Sequence, residues 1–167
     1  MKRIVSISAL LALMYLTANQ LAAQNLQPEY TEWYAGVKGG VTLSGMDQIP
    51  NCFGLHGAYF FNEKYGGGMV VQMFSDGNDK SFVIAPAFFA HWGIGSTKFF
   101  IPTRIGFGFE KRSDSVGSTI YYAGYASAGI AYRPSKLISF GINVDFASSV
   151  YFAVNNIGFN IGLSFHF

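Results

Sequence analysis

The residues best suited to chemistry in this 167-residue chain are its three histidines. An imidazole can act as a general base, and a hydrolase needs such a base within hydrogen-bond reach of a nucleophile. His56, His91 and His166 all fall on the polar face of alternating segments, and no serine and histidine occur together on the apolar face. We therefore expect hydrogen-bonded interior histidines, and we predict no catalytic residue.

Two other features suggest a binding site less strongly. The single cysteine, Cys52, has no partner for an intramolecular disulfide, and we interpret it as an isolated loop residue. Asp76, Asn78 and Asp79 carry the oxygens that calcium prefers, but an EF-type loop needs about twelve residues and a terminal Glu. This segment stops at Lys80. A tight polar turn is the better interpretation, and we predict neither a metal nor a cofactor.

The composition indicates a membrane environment. Hydrophobic residues make up 50% of the chain and charged residues only 12%, about half the charged fraction of an ordinary soluble protein. After the first apolar stretch, no run approaches the roughly 18 to 20 residues that a membrane helix needs. Because only helices and closed barrels satisfy their backbone in lipid, a barrel is predicted. The net charge of +2 comes from Lys2 and Arg3, so no nucleic-acid partner is expected.

The chain begins with the features of a secretory signal peptide. A basic start precedes an apolar stretch at residues 4–16, and small residues ending at Ala23 make a plausible cleavage site. We expect residues 1–23 to be a signal peptide and residues 24–167 to form one domain.

From Trp33 onward, apolar residues recur at every second position in segments of about ten residues. Two segments, Tyr65 to Ser75 and Phe82 to Trp92, are less regular because apolar residues occupy both faces. Turn-forming residues separate about eight such segments. The predicted fold class is all-β: a transmembrane up-and-down antiparallel β-barrel of about eight strands, following the N-terminal signal peptide.

The charged residues distinguish a membrane barrel from a soluble one, which places apolar side chains inside. In the predicted spans every charged residue lies opposite the aromatic face. These residues are Lys38, Arg104, Glu110, Arg133 and Asp145. An Arg or Lys facing lipid at mid-depth would cost about 2 to 4 kcal/mol. The aromatic face is therefore predicted to meet lipid, and the five charged residues to form an interior charge network.

Two prolines and the loop lengths add detail to this prediction. Pro86 and Pro102 fall inside predicted strands, where each removes a hydrogen-bond donor, so we expect local bulges. Short connections alternate with mostly longer ones, such as Lys111 to Thr119. If both chain ends are periplasmic, the short turns are periplasmic as well.

The carboxyl end, Gly162-Leu163-Ser164-Phe165-His166-Phe167, resembles the terminal strand of bacterial outer-membrane barrels. The chain after residue 23 resembles the porin-like small outer-membrane β-barrel family, including its Gly-rich strands and in-strand prolines. The resemblance implies an integral protein of the bacterial outer membrane. It also implies that Leu163, Phe165 and Phe167 form an insertion signal that the barrel-assembly machinery reads.

The resemblance implies a location and a fold more than an activity. Eight strands enclose an interior that side chains can fill, so we expect a structural or loop-mediated interaction role in the cell envelope. A narrow solute or ion channel is one alternative. Some barrels of this kind modify lipid A, which makes an enzyme a second alternative. The expected partners are outer-membrane lipids, the barrel-assembly machinery, periplasmic chaperones and a possible larger outer-membrane complex.

Overall fold

The chain folds into eight β-strands. The computed structural model describes residues 33–43, 51–76, 79–113, 117–149 and 155–167. The predicted signal peptide and its cleavage site lie outside the described residues. The strands are β1 (Trp33–Leu43), β2 (Asn51–Phe60), β3 (Tyr65–Asp76), β4 (Asp79–Gly93), β5 (Phe99–Ser113), β6 (Ser118–Tyr132), β7 (Ile138–Ser149) and β8 (Asn155–His166).

The strands form one closed barrel. Each pairs antiparallel with the next, and β1 also pairs with β8. The Trp33 amide donates to the Phe167 carbonyl at 3.2 Å, and the Phe167 amide donates to the Trp33 carbonyl at 2.9 Å. The predicted all-β barrel of about eight strands is confirmed. No helix in the described part of the chain is long and apolar enough to cross a membrane.

The two ends of the barrel differ in their connections. At the turn end lie residues 61–64, 94–98 and 133–137, together with Trp33 and Phe167. At the opposite end, which we call the loop end, β1, β3, β5 and β7 end at Leu43, Asp76, Ser113 and Ser149. Strands β5 and β6 stay paired as far as Ser113 and Ser118, so the loop predicted to begin at Lys111 begins later. Polar strand residues thus extend the ladder beyond the apolar segment.

The side chains that alternate along the sequence point to the outer and the inner face of the barrel in turn. Along β8, the Ile161 side chain is 72% exposed whereas its neighbour Asn160 is 1% exposed. The aromatic and aliphatic rows predicted from the sequence form the outer wall. In the irregular fourth segment Val83 and Phe89 are fully buried, because apolar residues also pack inside the barrel.

The prolines do not produce bulges, so that expectation is wrong. Pro86 stays opposite Met69 of β3, and Pro102 stays opposite His91 of β4. The β4–β5 ladder skips two positions at Pro86 and the β5–β6 ladder skips two at Pro102, yet the register is the same before and after each gap. A missing donor therefore interrupts one ladder locally without adding a residue to the strand.

Cys52 is not the loop residue that the sequence suggested. It lies in β2 and its thiol is buried. The Gln72 side-chain amide donates to the Cys52 sulfur, and the residue packs in an apolar cluster with Phe74, Val83 and Ala147. The alternation begins at Asn51, two residues before the apolar pattern that starts at Phe53.

Candidate functional site in the barrel interior

The candidate site is the polar interior, where the five charged residues identified from the sequence are all buried. The structure brings only Lys38 and Asp145 within ion-pair distance of each other. Arg104, Glu110 and Arg133 each take separate partners. The interior is thus organised in groups along the barrel axis.

The central group is built around the Asp145 carboxylate. The Lys38 ammonium donates to Asp145 Oδ2 and lies 2.6 Å from Tyr125 Oη. Tyr125 Oη donates to Asp145 Oδ1 at 3.0 Å, and Asn160 Nδ2 donates to Oδ2 at 2.7 Å. Strands β1, β6, β7 and β8 supply these four residues. Asp145 therefore accepts hydrogen bonds from three directions, as a buried carboxylate must.

Arg104 has a different environment, in which its partners are neutral. Its guanidinium donates to Tyr34 Oη at 2.9 Å and to Ser127 Oγ at 3.3 Å. His56 Nε2 lies 3.3 Å from Arg104 Nη2, and the Phe89 ring centre lies 5.7 Å from Arg104 Cζ. Among the described residues no carboxylate forms an ion pair with this guanidinium.

Glu110 lies nearer the loop end, in a group of its own. Its Oε1 atom accepts from Ser81 Oγ at 2.6 Å and from Arg112 Nε at 2.7 Å. Arg112 is two residues further along β5, so both side chains take the same face. The sequence predicts Arg112 in a loop. Its parity with Glu110, however, is a signal that its side chain points to the same face.

Arg133 forms hydrogen bonds at the turn end of the barrel and not with the central group. Its guanidinium donates to the carbonyl oxygens of Ser135 at 3.3 Å and Lys136 at 2.5 Å. Both carbonyls belong to the turn between β6 and β7. Arg133 thus satisfies backbone acceptors where the strand ladder ends.

All three histidines of the chain surround Tyr34. The Tyr34 ring centre lies 5.1 Å from that of His56, 4.9 Å from that of His91 and 5.0 Å from that of His166. The Phe60 ring lies 4.5 Å from that of His91. We call these five residues the ring cluster. They are buried and occupy the lumen at its turn end.

Two histidines of the ring cluster contact serines inside the barrel. His56 Nε2 lies 3.2 Å from Ser164 Oγ, and His166 Nε2 lies 2.8 Å from Ser139 Oγ. A serine beside an imidazole is the geometry of an activated nucleophile, but both pairs are buried. A substrate arriving from lipid cannot reach them.

Two residues of the interior do not stand out in the sequence as site residues: Tyr34, which joins Arg104 to the ring cluster, and Asn160, which belongs to the central group. Parity places both side chains on the inward face. Parity does not give the contact across the lumen, because Tyr34 meets Arg104 four strands away. The described residues contain no group of three metal-ligating side chains that could hold an ion.

Comparison with known proteins relates this geometry to solved barrels. No family model and no curated sequence matches the chain. Neisserial surface protein A has a TM-score of 0.66 at 7% identity, over 82% of this chain and 98% of that chain. The chain has the fold of the small outer-membrane β-barrels. The porin-like resemblance is confirmed to that extent.

Two further solved structures show how varied such barrels are. The N-terminal β-barrel domain of Pseudomonas aeruginosa OprF has a TM-score of 0.62 at 13% identity, over 80% of this chain and 97% of that chain. The outer-membrane enzyme PagL has a TM-score of 0.52 at 13% identity, over 77% and 97%. The same barrel thus occurs in an enzyme and as the N-terminal domain of another protein, so the fold alone does not specify a function.

Proposed function

We propose that this chain is an integral outer-membrane barrel with a structural or loop-mediated interaction role in the envelope, and that it is neither a pore nor an enzyme. Its outer wall is aromatic and aliphatic, with Phe107 and Ile142 among its most exposed side chains. Such a wall is favourable in lipid and unfavourable in water. With both mature ends in the periplasm, the connections that follow Leu43, Asp76, Ser113 and Ser149 would face the cell surface, and loops of such barrels commonly carry the binding function.

The main observation against a channel is that solvent does not reach the centre of the barrel. The side chains of Lys38 and Asp145 have no solvent-exposed surface. An aqueous path along the lumen would leave both charges in contact with water. Between these two charges and the turn end, the buried side chains of the ring cluster fill the lumen. Eight-stranded barrels have room for side chains or one small ligand, but not for a wide channel.

Planar-bilayer recording tests this proposal. We expect the refolded chain to give no discrete conductance steps above those of the bare lipid. A steady, ion-selective conductance that Arg104→Met abolishes would contradict the sealed interior and favour a narrow channel. Heat-modifiable migration of the same sample confirms that the recorded protein is folded.

A role in lipid A modification is the second alternative that the sequence resemblance leaves open, and the outer-membrane enzyme PagL is an example of an enzyme with this fold. It is disfavoured because all three histidines lie inside the barrel, away from the surface that an acyl chain can reach. Mass spectrometry of lipid A from cells with and without the gene tests this point. We expect the same acyl pattern in both, whereas a pattern that changes with the gene would favour the enzyme.

We also propose that Leu163, Phe165 and Phe167 act as the insertion signal, with both mature ends in the periplasm. Phe167 is exposed beyond β8 and its side chain adds little to the core. Phe167→Ala should therefore slow assembly in cells while leaving the stability of the refolded barrel unchanged. Equal assembly rates for both chains would contradict the signal.

A further inference from the structure

The outer wall carries two lysines near the loop end. Lys80 lies in β4 and Lys111 in β5, and both side chains are exposed. Each has the parity of an outward phenylalanine two residues away, Phe82 for Lys80 and Phe109 for Lys111. Among the strand residues whose side chains the structure describes, no other charged residue faces outward. The outward charge of the described strands is therefore concentrated in one place.

The strand register places these two lysines next to each other. Lys80 pairs with Ser113 and Lys111 pairs with Phe82, so the lysines occupy diagonal positions of the β4–β5 pair. Diagonal neighbours on one face of a sheet lie about 7 to 8 Å apart, within reach of long side chains. Both ammonium groups can therefore reach one ligand between them.

The described residues supply no counter-charge for this pair. Neither lysine forms an ion pair with a described residue. The Glu110 carboxylate is buried and pairs with Arg112, and Asp145 is buried in the central group. Like charges at neighbouring positions of a sheet destabilise each other. An anion from outside the chain would offset this repulsion, and the described outer wall of a second copy has no carboxylate to provide it.

Aromatic side chains lie beside the lysines, on the side toward the middle of the barrel. Phe82, Phe109 and Tyr122 are exposed on the outer wall. Phe109 pairs with Tyr122 across β5 and β6, and their ring centres lie 5.4 Å apart. Tyrosine rings favour the level of the lipid headgroups. The lysines are therefore at headgroup level, and the aromatic side chains next to them face acyl chains.

We infer that Lys80 and Lys111 together bind one lipid whose headgroup carries a phosphate monoester. This inference rests on the proposed membrane location. A phosphate monoester carries a charge of about −1.5 to −2 and three acceptor oxygens at neutral pH, so one headgroup accepts from both ammonium groups. A phosphodiester has a single charge and matches the two lysines less well. The acyl chains of the bound lipid lie against Phe82 and Phe109.

Native mass spectrometry of the folded, detergent-solubilised chain tests this inference. The probes are phosphatidic acid, which has a phosphate monoester, phosphatidylglycerol, which has a diester, and diacylglycerol, all with the same acyl chains. We expect one phosphatidic acid to be retained best, phosphatidylglycerol less and diacylglycerol least. Retention of phosphatidylglycerol equal to that of phosphatidic acid would overturn recognition of the monoester.

Substitution of the lysines tests the site. Lys80→Met and Lys111→Met suit a wall that faces lipid, and each should lower phosphatidic acid retention about tenfold, the effect of one charge-assisted hydrogen bond. The two together should reduce it to the level of diacylglycerol. The matched control, Lys64→Met with Lys98→Met, removes two charges from turns at the other end and should leave retention unchanged. An equal loss in both double variants would overturn the site.

A conservative variant separates charge from other contacts. Lys111→Arg keeps the cation and should keep the preference for phosphatidic acid. A loss as large as that of Lys111→Met would contradict binding through the charge. Inorganic phosphate at the same concentration should not displace the lipid, because it does not contact the aromatic side chains. Displacement would overturn a lipid as the ligand.

Two further outcomes separate this inference from the proposed function. A dimer that replaces the lipid adduct, and disappears when both lysines are substituted, would overturn the inference in favour of a second copy of the chain. Heat-modifiable migration of every variant reports the membrane barrel independently. A folded barrel that does not prefer phosphatidic acid refutes the site alone, whereas a chain that never forms the barrel refutes the proposed function.

Discussion

At the residue scale, the barrel centre depends on Asp145 because three donors converge on one carboxylate. Lys38 is its only ion-pair partner among the described residues, and neither side chain reaches water. A buried pair of this kind adds little net stability compared with apolar residues, but removal of one member leaves an uncompensated charge.

Asp145→Asn should therefore lower the free energy of unfolding by about 3 to 5 kcal/mol. The amide leaves the Lys38 ammonium buried without a carboxylate. Urea unfolding in lipid vesicles, followed by tryptophan fluorescence, measures the loss. The double variant Lys38→Met with Asp145→Asn should recover most of it. An equal loss in the double variant would contradict charge burial as the cause.

Arg104→Met should behave differently, because the partners of this guanidinium are neutral. No carboxylate within the described structure loses an ion pair, and Tyr34 Oη keeps its 3.0 Å hydrogen bond from Ser164 Oγ. Replacement of a buried charge by an apolar side chain of similar volume is often neutral or stabilising. We expect the same urea measurement to change by less than about 1 kcal/mol. A loss comparable to that of Asp145→Asn would show that Arg104 belongs to the central group.

At this scale the sequence predicted which side chains point inward, because parity is a local property of a strand. It did not predict that the five charges divide among separate partners. The pairing of Lys38 with Asp145 spans 107 residues, and the register of all intervening strands determines it. The sequence did not predict the pairing of Arg112 with Glu110, because the apolar pattern of β5 ends before the strand itself ends at Ser113.

At the element scale, closure depends on the close approach of β1 and β8. A Cβ added at Gly40 would lie 1.9 Å from the Phe159 carbonyl oxygen, so the backbone would have to move. Glycine is therefore required at this crossing, whereas Gly67 faces open space on the outer wall.

Gly40→Ala should accordingly destabilise the barrel by about 1 to 3 kcal/mol, the usual cost of overpacking. Gly67→Ala should change stability by less than about 0.5 kcal/mol. The folded fraction on a gel of unheated samples, taken across a urea series, compares the two. Equal stability would show that β1 and β8 have room to separate.

The position of the outer wall in the bilayer predicts that the cost of an outward-facing charge depends on its depth in the membrane. Ile105 is near the middle of β5 and Ile120 is near the loop end of β6, and both side chains are more than half exposed. Ile105→Arg should cost about 2 to 4 kcal/mol in vesicles, and Ile120→Arg about 0 to 1. Similar costs at both positions would contradict a bilayer centred on the middle of the strands.

The strands themselves were predictable, including the two irregular ones, because period-2 alternation survives wherever one face meets lipid. Their ends at the loop end were not, since polar residues such as Ser113 and Ser118 continue the ladder with no apolar signal. The prolines were misread because a closed barrel tolerates a local gap in one ladder without a change of register.

At the scale of the whole molecule, the fold follows from an outer wall that water would not solvate and an interior that lipid would not accept. The sequence predicted this arrangement through composition and parity. It could not predict the contact of Tyr34 with Arg104 across the lumen, which exists only after the intervening strands are placed in register.

The most direct test of the account is the migration of the vesicle-refolded chain on a gel with and without heating. We expect the unheated protein to migrate faster than the heated one and to remain in the membrane pellet after alkaline washing. A chain that folds in water without lipid, and migrates identically before and after heating, would contradict the membrane barrel.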